Sequence, residues 1–239
     1  RDDFDVDTRL VGDFDEPEHL DVLLERQRDI QLVDLLVLKD SLCLRERSDE
    51  REPTVAELVT TRTAWLFARM LTLDVQETRP EETLAYYRSA GMDKEIYDQR
   101  VADRPFNFAD TVYPMPLGFT RVQQGDVFRM GGRDWDVRLG NGHAPEHVTL
   151  WSRDDALVIA GDQIISSISP NIGVYPTEPE ADPLAEWLES CERLAGFARE
   201  DHLVLSGHKL PFTGLPHRMR QLIDNHHGAL RRLEAHLAT

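Results

Sequence analysis

The 239-residue sequence contains no apolar run approaching the roughly 18 residues that a membrane-spanning helix requires. Its first residues are rich in aspartate, whereas a secretory signal peptide begins with basic residues followed by an apolar core. Because both membrane-directed patterns are missing, we expect a soluble protein without a membrane partner. The cytoplasm is the expected location.

Cysteine is scarce. Cys43 and Cys191 are the two cysteines of the sequence, and they have neither the spacing of a metal motif nor the number needed for a disulfide framework. We therefore expect them to be buried thiols in a reducing compartment.

Basic residues are also few, since 27 lysines and arginines face 44 aspartates and glutamates, for a net charge of −17. So acidic a surface repels phosphate backbones and anionic lipids, which argues against nucleic-acid binding. A small anionic substrate is still compatible with a metal-bearing cleft, because the metal sets the local field there. The sequence has no glycine-rich phosphate loop, no nucleophile elbow with a Ser-His-Asp grouping and no nucleic-acid motif.

The N-terminal half has a helical character. After an acidic stretch, an apolar run at residues 32–38 predicts a buried strand or a short helix. Helical periodicity then covers residues 55–70, Pro80 is expected in the first turn of a second helix, and residues 93–102 form a third. These segments predict an α-rich insert at about residues 55–105, through which a homodimer is a further hypothesis.

From residue 113 onward, the pattern changes to hairpins and then alternates strands with helices. Strands are predicted at 127–130 and 135–139, joined by Gly131-Gly132, and at 147–151 and 156–160. Helices are predicted from Asp182-Pro183 and from near Pro216, with a strand at 202–205 between them. The last helix is expected to bury Met219, Leu222, Ile223, Leu230, Leu233 and Leu237. The order predicts one α/β (α+β) domain over residues 1–239, a sheet sandwich with helices outside.

Three short segments each place a metal-ligand residue just after a predicted strand. They are Gly-His-Ala-Pro-Glu-His at 142–147, Ile-Ala-Gly-Asp at 159–162 and Leu-Ser-Gly-His at 205–208. Glycine allows the sharp turn that directs the next side chain to the sheet edge, and imidazole and carboxylate suit zinc or iron. Each segment alone is weak evidence, because such a histidine is more often a hydrogen-bonded loop residue and Gly-Asp is usually a turn. Together and in this order they favour a metal site.

These motifs resemble the third, fourth and fifth metal motifs of the metallo-β-lactamase superfamily, in particular of the glyoxalase-II-like hydrolases. The resemblance covers roughly residues 110–239 and implies a four-layer αββα sandwich with one or two metals at one sheet edge. It also implies that His143 binds the first metal, that Asp162 bridges both metals as the catalytic residue, and that His208 binds the second. Zinc is the expected metal, with iron as an alternative, and a metal-bound hydroxide would attack the substrate.

The sequence departs from this family at its most diagnostic motif, His-x-His-x-Asp-His. None of the nine histidines lies between His19 and His143, so each metal keeps one histidine and the bridge, short of the usual three protein ligands. One explanation is that the motif belongs to a segment missing from the chain as given, around residues 31–60. A second is a degenerate member that binds a ligand without hydrolysing it. A third is that His147, Asp34 or Asp40 completes the site.

The function predicted from the resemblance is metal-dependent hydrolysis of a small ester, thioester or lactone. The fold does not set the substrate, and no residue pattern favours β-lactam cleavage. The alternative from another class is a non-catalytic binding protein on the same fold. An iron enzyme similar to sulfur dioxygenases would use the same ligands.

Overall fold

The computed structural model describes residues 58–112 and 114–238. The predictions for the run at 32–38 and for Cys43, Asp34 and Asp40 lie outside these residues. The strands are β1 (Val59–Thr60), β2 (Thr120–Arg121), β3 (Val127–Met130), β4 (Arg133–Gly140), β5 (His147–Ser152), β6 (Leu157–Gly161) and β7 (Leu203–Ser206). The helices are α1 (Arg62–Leu73), α2 (Glu81–Ser89), α3 (Lys94–Ala102), α4 (Pro183–Ala195) and α5 (Leu215–Leu237).

Strands β3 to β7 form one five-stranded sheet in sequence order. The first four strands are antiparallel neighbours, and β7 pairs parallel with β6 after the crossover through α4. The predicted hairpin is confirmed at Gly131 and Gly132, whose φ angles of 58° and 78° are those that a tight two-residue turn requires. Because β6 and β7 are parallel, their carboxyl ends meet at one edge of the sheet.

Each face of this sheet is covered by a different layer. Helices α4 and α5 pack on one face, where Trp151, Val158 and Val204 meet Trp187 and Met219. The other face packs against the short parallel sheet of β1 and β2 through the following residues: Val59, Val122, Trp135, Val137 and Leu150. The predicted mixed α/β class is therefore confirmed, with a layer order of helices, sheet and sheet.

The predicted helical insert is present as α1, α2 and α3. The Thr61 hydroxyl caps α1 by accepting from the Ala64 amide, and the Asp93 carboxylate caps α3. Pro80 is the N-cap of α2 and does not belong to its first turn, so its predicted position was wrong by one residue. Both positions suit proline, since neither amide has an acceptor within the helix.

Helix α5 corrects one prediction about the core. Met219 and Leu222 are buried as predicted, whereas Leu230, Leu233 and Leu237 are exposed, the last of them at 76%. The buried residues of α5 all lie within its first eight positions. An apolar stripe identifies the face of a helix that seeks a partner, but it does not say how far along the helix the neighbouring layer extends.

Among the described residues, no helix has both the length and the apolar character to cross a bilayer.

Candidate metal centre

His143 lies in the turn between β4 and β5, and glycine makes this turn possible. Gly142 has a φ of 91°, and a Cβ atom there would lie 2.3 Å from the Pro183 carbonyl oxygen and 2.4 Å from Trp187 Cβ. Only glycine therefore lets the backbone pass this closely over the start of α4. The next residue, His143, consequently points into the protein, and its side chain is 5% exposed.

The two ring nitrogens of His143 have different surroundings. Nδ1 lies 2.8 Å from the carbonyl oxygen of Asn171, and since a carbonyl can only accept, Nδ1 carries the hydrogen. Nε2 is buried without a hydrogen-bond partner and lies 3.9 Å from Asp162 Oδ2. The carbonyl thus fixes the tautomer that leaves the Nε2 lone pair available, as is typical of metal-binding histidines.

Asp162 follows β6 directly, after a sharp turn at Gly161, whose φ is 52°. Its side chain is as buried as that of His143. A second glycine, Gly207, leaves the space that this carboxylate occupies, because a Cβ atom at position 207 would lie 2.5 Å from Asp162 Oδ1. The glycines that precede Asp162 and His208 in the sequence therefore serve the same carboxylate.

His208 is brought to Asp162 by the parallel pairing of β6 and β7. The Gly207 amide donates to the Gly161 carbonyl at 2.9 Å, which aligns the two strand ends. His208 Nε2 then lies 3.1 Å from Asp162 Oδ2, and the side chain of His208 is 46% exposed. The next residue, Lys209, has a φ of 72°, an unusual backbone conformation for a residue other than glycine.

His147 occupies the core beside this group. It is the first residue of β5, is buried, and has no hydrogen-bond partner on either ring nitrogen. Burial, reinforced by the nearby His143, lowers the pKa of His147 to about 4, so the ring is neutral at neutral pH. Its ring centroid lies 5.9 Å from that of His143. The hydrogen-bond partner of His143 is therefore the Asn171 carbonyl and not His147. Because this carbonyl is a backbone group, no side-chain pattern in the sequence indicates it.

A buried amide, Gln163, links the two loops that carry His143 and Asp162. The side-chain Nε2 of Gln163 donates to the backbone carbonyl of Asn141 at 3.3 Å. The backbone carbonyl of Gln163 accepts from Trp187 Nε1 at 3.2 Å. The backbone amide of Asn141 in turn donates to Ser190 Oγ on α4 at 2.9 Å. The sequence analysis did not identify these residues, because a glutamine after Gly-Asp has no distinctive spacing.

Two further histidines have structural surroundings. His226 packs its ring against Trp187 at a centroid distance of 4.8 Å. His202 is buried and accepts a hydrogen bond from the Arg199 amide at its Nδ1. The contacts of both residues are with groups other than the three predicted metal ligands.

The three predicted metal ligands therefore lie together at the carboxyl end of β6 and β7. The Nε2 atoms of His143 and His208 both face one oxygen of Asp162, Oδ2. Within residues 58–112 and 114–238, however, no three side chains of His, Cys, Asp or Glu are arranged to hold a single metal ion. The described part of the chain brings together side chains of the metal-ligand type but not a complete set of ligands.

Comparison with solved structures identifies the fold. A β-lactamase domain protein from Burkholderia ambifaria is 30% identical to this chain with a TM-score of 0.59, over 75% of this chain and 49% of that one. The chain has the fold of the metallo-β-lactamase superfamily. A metallo-β-lactamase family protein from Thermus thermophilus is 22% identical with a TM-score of 0.60, over 77% of this chain and 57% of that one.

The chain spans about half the length of these two relatives. No protein-family model and no curated protein sequence matches it. The structural matches show the fold, but they set neither the activity nor the substrate.

Proposed function

We propose that this chain is a metal-dependent hydrolase of the metallo-β-lactamase superfamily that acts on a small ester, thioester or lactone. One observation carries the proposal: a single oxygen of Asp162 lies 3.9 Å from His143 Nε2 and 3.1 Å from His208 Nε2. The fold brings together an imidazole, a carboxylate and a second imidazole from three separate turns. These are donors that zinc and iron prefer.

The state of His143 supports a metal at this position. A buried polar atom without a partner is rare, and its cost of about 1–3 kcal/mol calls for an explanation. The Nε2 atom of His143 is such an atom, whereas its Nδ1 is held by the Asn171 carbonyl. A cation at Nε2 would satisfy the lone pair without changing the ring's orientation.

Each of the three residues would have its own role in metal binding. His143 and His208 would each hold a metal through Nε2, and Asp162 would bind on the side that both rings face. When bound, zinc would supply Lewis acidity and lower the pKa of a water molecule towards neutrality. His143 and Asp162 are nearly enclosed while His208 is half exposed, so a small substrate would approach from the His208 side.

The proposal requires additional ligands from outside the described residues, because the described donors do not form a complete set. Hydrolysis would therefore depend on the full protein, and fragments that begin at residue 58 would bind metal weakly. Small esters, thioesters and lactones are proposed as substrates because of the superfamily resemblance, not because of a specific contact.

The function is tested by assaying the purified full chain on a nitrophenyl ester, an acyl thioester and a lactone, with and without a chelator. We expect chelator-sensitive hydrolysis that Asp162→Asn abolishes and that His217→Gln, a change near the start of α5, leaves unchanged. Bound iron with oxygen consumption would instead favour the iron enzyme. A chain that binds substrate analogues but hydrolyses none would favour the non-catalytic binding protein.

A further inference from the structure

Arg218 is a buried arginine in the first turns of α5, at 8% exposure. Its Nε donates to the carbonyl of Ile165 at 2.8 Å, and one terminal nitrogen donates to the carbonyl of Ile168 at 2.9 Å. The other terminal nitrogen donates to the Gln221 side chain at 2.5 Å, one turn further along the same helix. Arg218 therefore joins α5 to two backbone carbonyls of one loop.

The guanidinium has no carboxylate partner among the residues that the structure describes. Burial lowers the pKa of Arg218, since desolvation penalises the charged form. A buried charge is costly unless it is well hydrogen-bonded, and here carbonyl dipoles provide the compensation. An apolar side chain could fill the same space at no electrostatic cost, but it would leave both carbonyls without this donor.

The two carbonyls lie in the segment that connects two parts of the candidate site. Ile165 and Ile168 lie between Asp162, the central carboxylate, and Asn171, whose carbonyl orients His143. The loop that Arg218 holds therefore leads from one candidate ligand to the residue that supports another.

Other contacts secure the two ends of this loop but not its middle. At the far end, Pro170 is buried and the Asn171 carbonyl accepts from His143 Nδ1. The near end is held in two ways. The Ser206 hydroxyl donates to the Ile164 carbonyl at 2.9 Å, and the side chains of Ile164 and Ile165 are buried in the core. The Ile168 side chain, in contrast, is exposed at 43%. Since apolar burial does not anchor Ile168, the hydrogen bond from Arg218 to its carbonyl is the main restraint there in the described contacts.

We propose that Arg218 is a positioning residue that sets the separation of Asp162 and His143 by holding the loop between them. This inference rests on the proposed metal-dependent function. Arg218 does not touch the candidate metal ligands, and it acts on both of them through the backbone from 162 to 171.

The test compares Arg218→Met and Arg218→Lys with Arg220→Met, a control at an exposed position on the same helix. Amide hydrogen exchange is measured on the metal-free full chain, and cobalt(II) affinity is measured by visible absorption. We expect exchange at residues 163–171 to rise about tenfold or more in Arg218→Met, beyond any change in strands β4 and β5. Cobalt affinity should fall by about 10- to 100-fold, the size expected when the support of a ligand is lost.

Arg218→Lys should restore part of both effects, because lysine keeps the charge but cannot bind two carbonyls in a fixed fork. Should Arg218→Met not fold, Arg218→Lys alone carries the comparison. Equal exchange in the loop and in the core strands, or unchanged cobalt affinity in a folded variant, would overturn the proposal. A wild-type chain that binds no cobalt would refute the metal function, while the exchange data would still decide whether Arg218 holds the loop.

Discussion

Gly161 lies against the ring of His147 so closely that a Cβ atom at position 161 would be 2.5 Å from His147 Cε1. The same glycine has a φ of 52° and directs Asp162 to the sheet edge. A buried, neutral imidazole thus supports the turn that presents the central carboxylate. His147 contributes to the site through the shape of its ring, which lies directly against the turn at Gly161.

Gly161→Ala should destabilise the protein substantially. The left-handed backbone alone costs a non-glycine residue about 1–2 kcal/mol, and displacement of the buried His147 ring adds to it. Gly125→Ala is the matched control, because Gly125 has a φ of 86° but no atom within 4 Å of its Cβ position. Urea unfolding should give a larger loss for Gly161→Ala, and equal losses would show that His147 does not restrict this position.

Gly207→Ala should weaken metal binding more than it weakens folding. The added methyl group would lie 2.5 Å from Asp162 Oδ1, and Gly207 has no positive φ that would add backbone strain. We expect the carboxylate to move and zinc affinity, measured by calorimetry, to fall by about tenfold or more. Gly118→Ala is the control, as its Cβ position is open. Wild-type affinity in Gly207→Ala would contradict a ligand role for Asp162.

The sheet around this site was predictable from the sequence for a physical reason. The hairpin over Gly131 and Gly132 depends on local backbone preferences, and β5 and β6 are short runs bounded by turn residues. The convergence of Asp162 and His208 likewise follows once β6 and β7 are parallel neighbours. Asn171 could not be predicted as the partner of His143, because its carbonyl is a backbone group and any residue could supply it.

The pH dependence of stability should include a contribution from His202. Burial lowers the pKa of His202, assisted by Arg199 and opposed by Asp201. The folded state therefore binds this proton less readily than the unfolded state, whose histidine pKa is about 6.5. The stabilisation is complete above that pH and is lost as pH falls below it towards the lower folded pKa.

His202→Asn tests this contribution, since the asparagine side chain can still accept from the Arg199 amide. At pH 7.5 the variant should be less stable by about 1 kcal/mol, because the ring contact with Trp151 is lost. Between pH 7 and pH 5 its unfolding midpoint should fall less than that of the wild type. Parallel curves for the two proteins would contradict the assignment, and His236→Gln, at an exposed position near the end of α5, serves as the control.

Helix α5 allows a prediction about stability at two leucines of one stripe. Leu222 is fully buried and Leu237 is exposed. Leu222→Ala should cost about 2–5 kcal/mol, whereas Leu237→Ala should change stability by at most about 0.5 kcal/mol. Chemical denaturation of both variants gives the comparison. A large loss at Leu237 would mean that the C-terminal half of α5 is covered in solution.

The exposed leucines mark a limit of sequence reasoning. The repeat of apolar residues continues through Leu233 and Leu237, although burial ends near Leu222. Periodicity reports the preference of the helix and contains no information about the extent of the layer opposite it. Gln163 and Arg218 escaped prediction for a related reason, because their importance arises from contacts with distant backbone carbonyls.

Metal stoichiometry is the measurement that tests the central claim most directly. Elemental analysis and intact mass should be determined on the purified full chain and on Asp162→Ala, both after incubation with zinc and removal of excess metal. The account predicts about one or two equivalents of zinc or iron in the wild type and a clear loss in Asp162→Ala. No bound metal in a folded wild-type chain of the expected mass, or equal metal in both proteins, would contradict it.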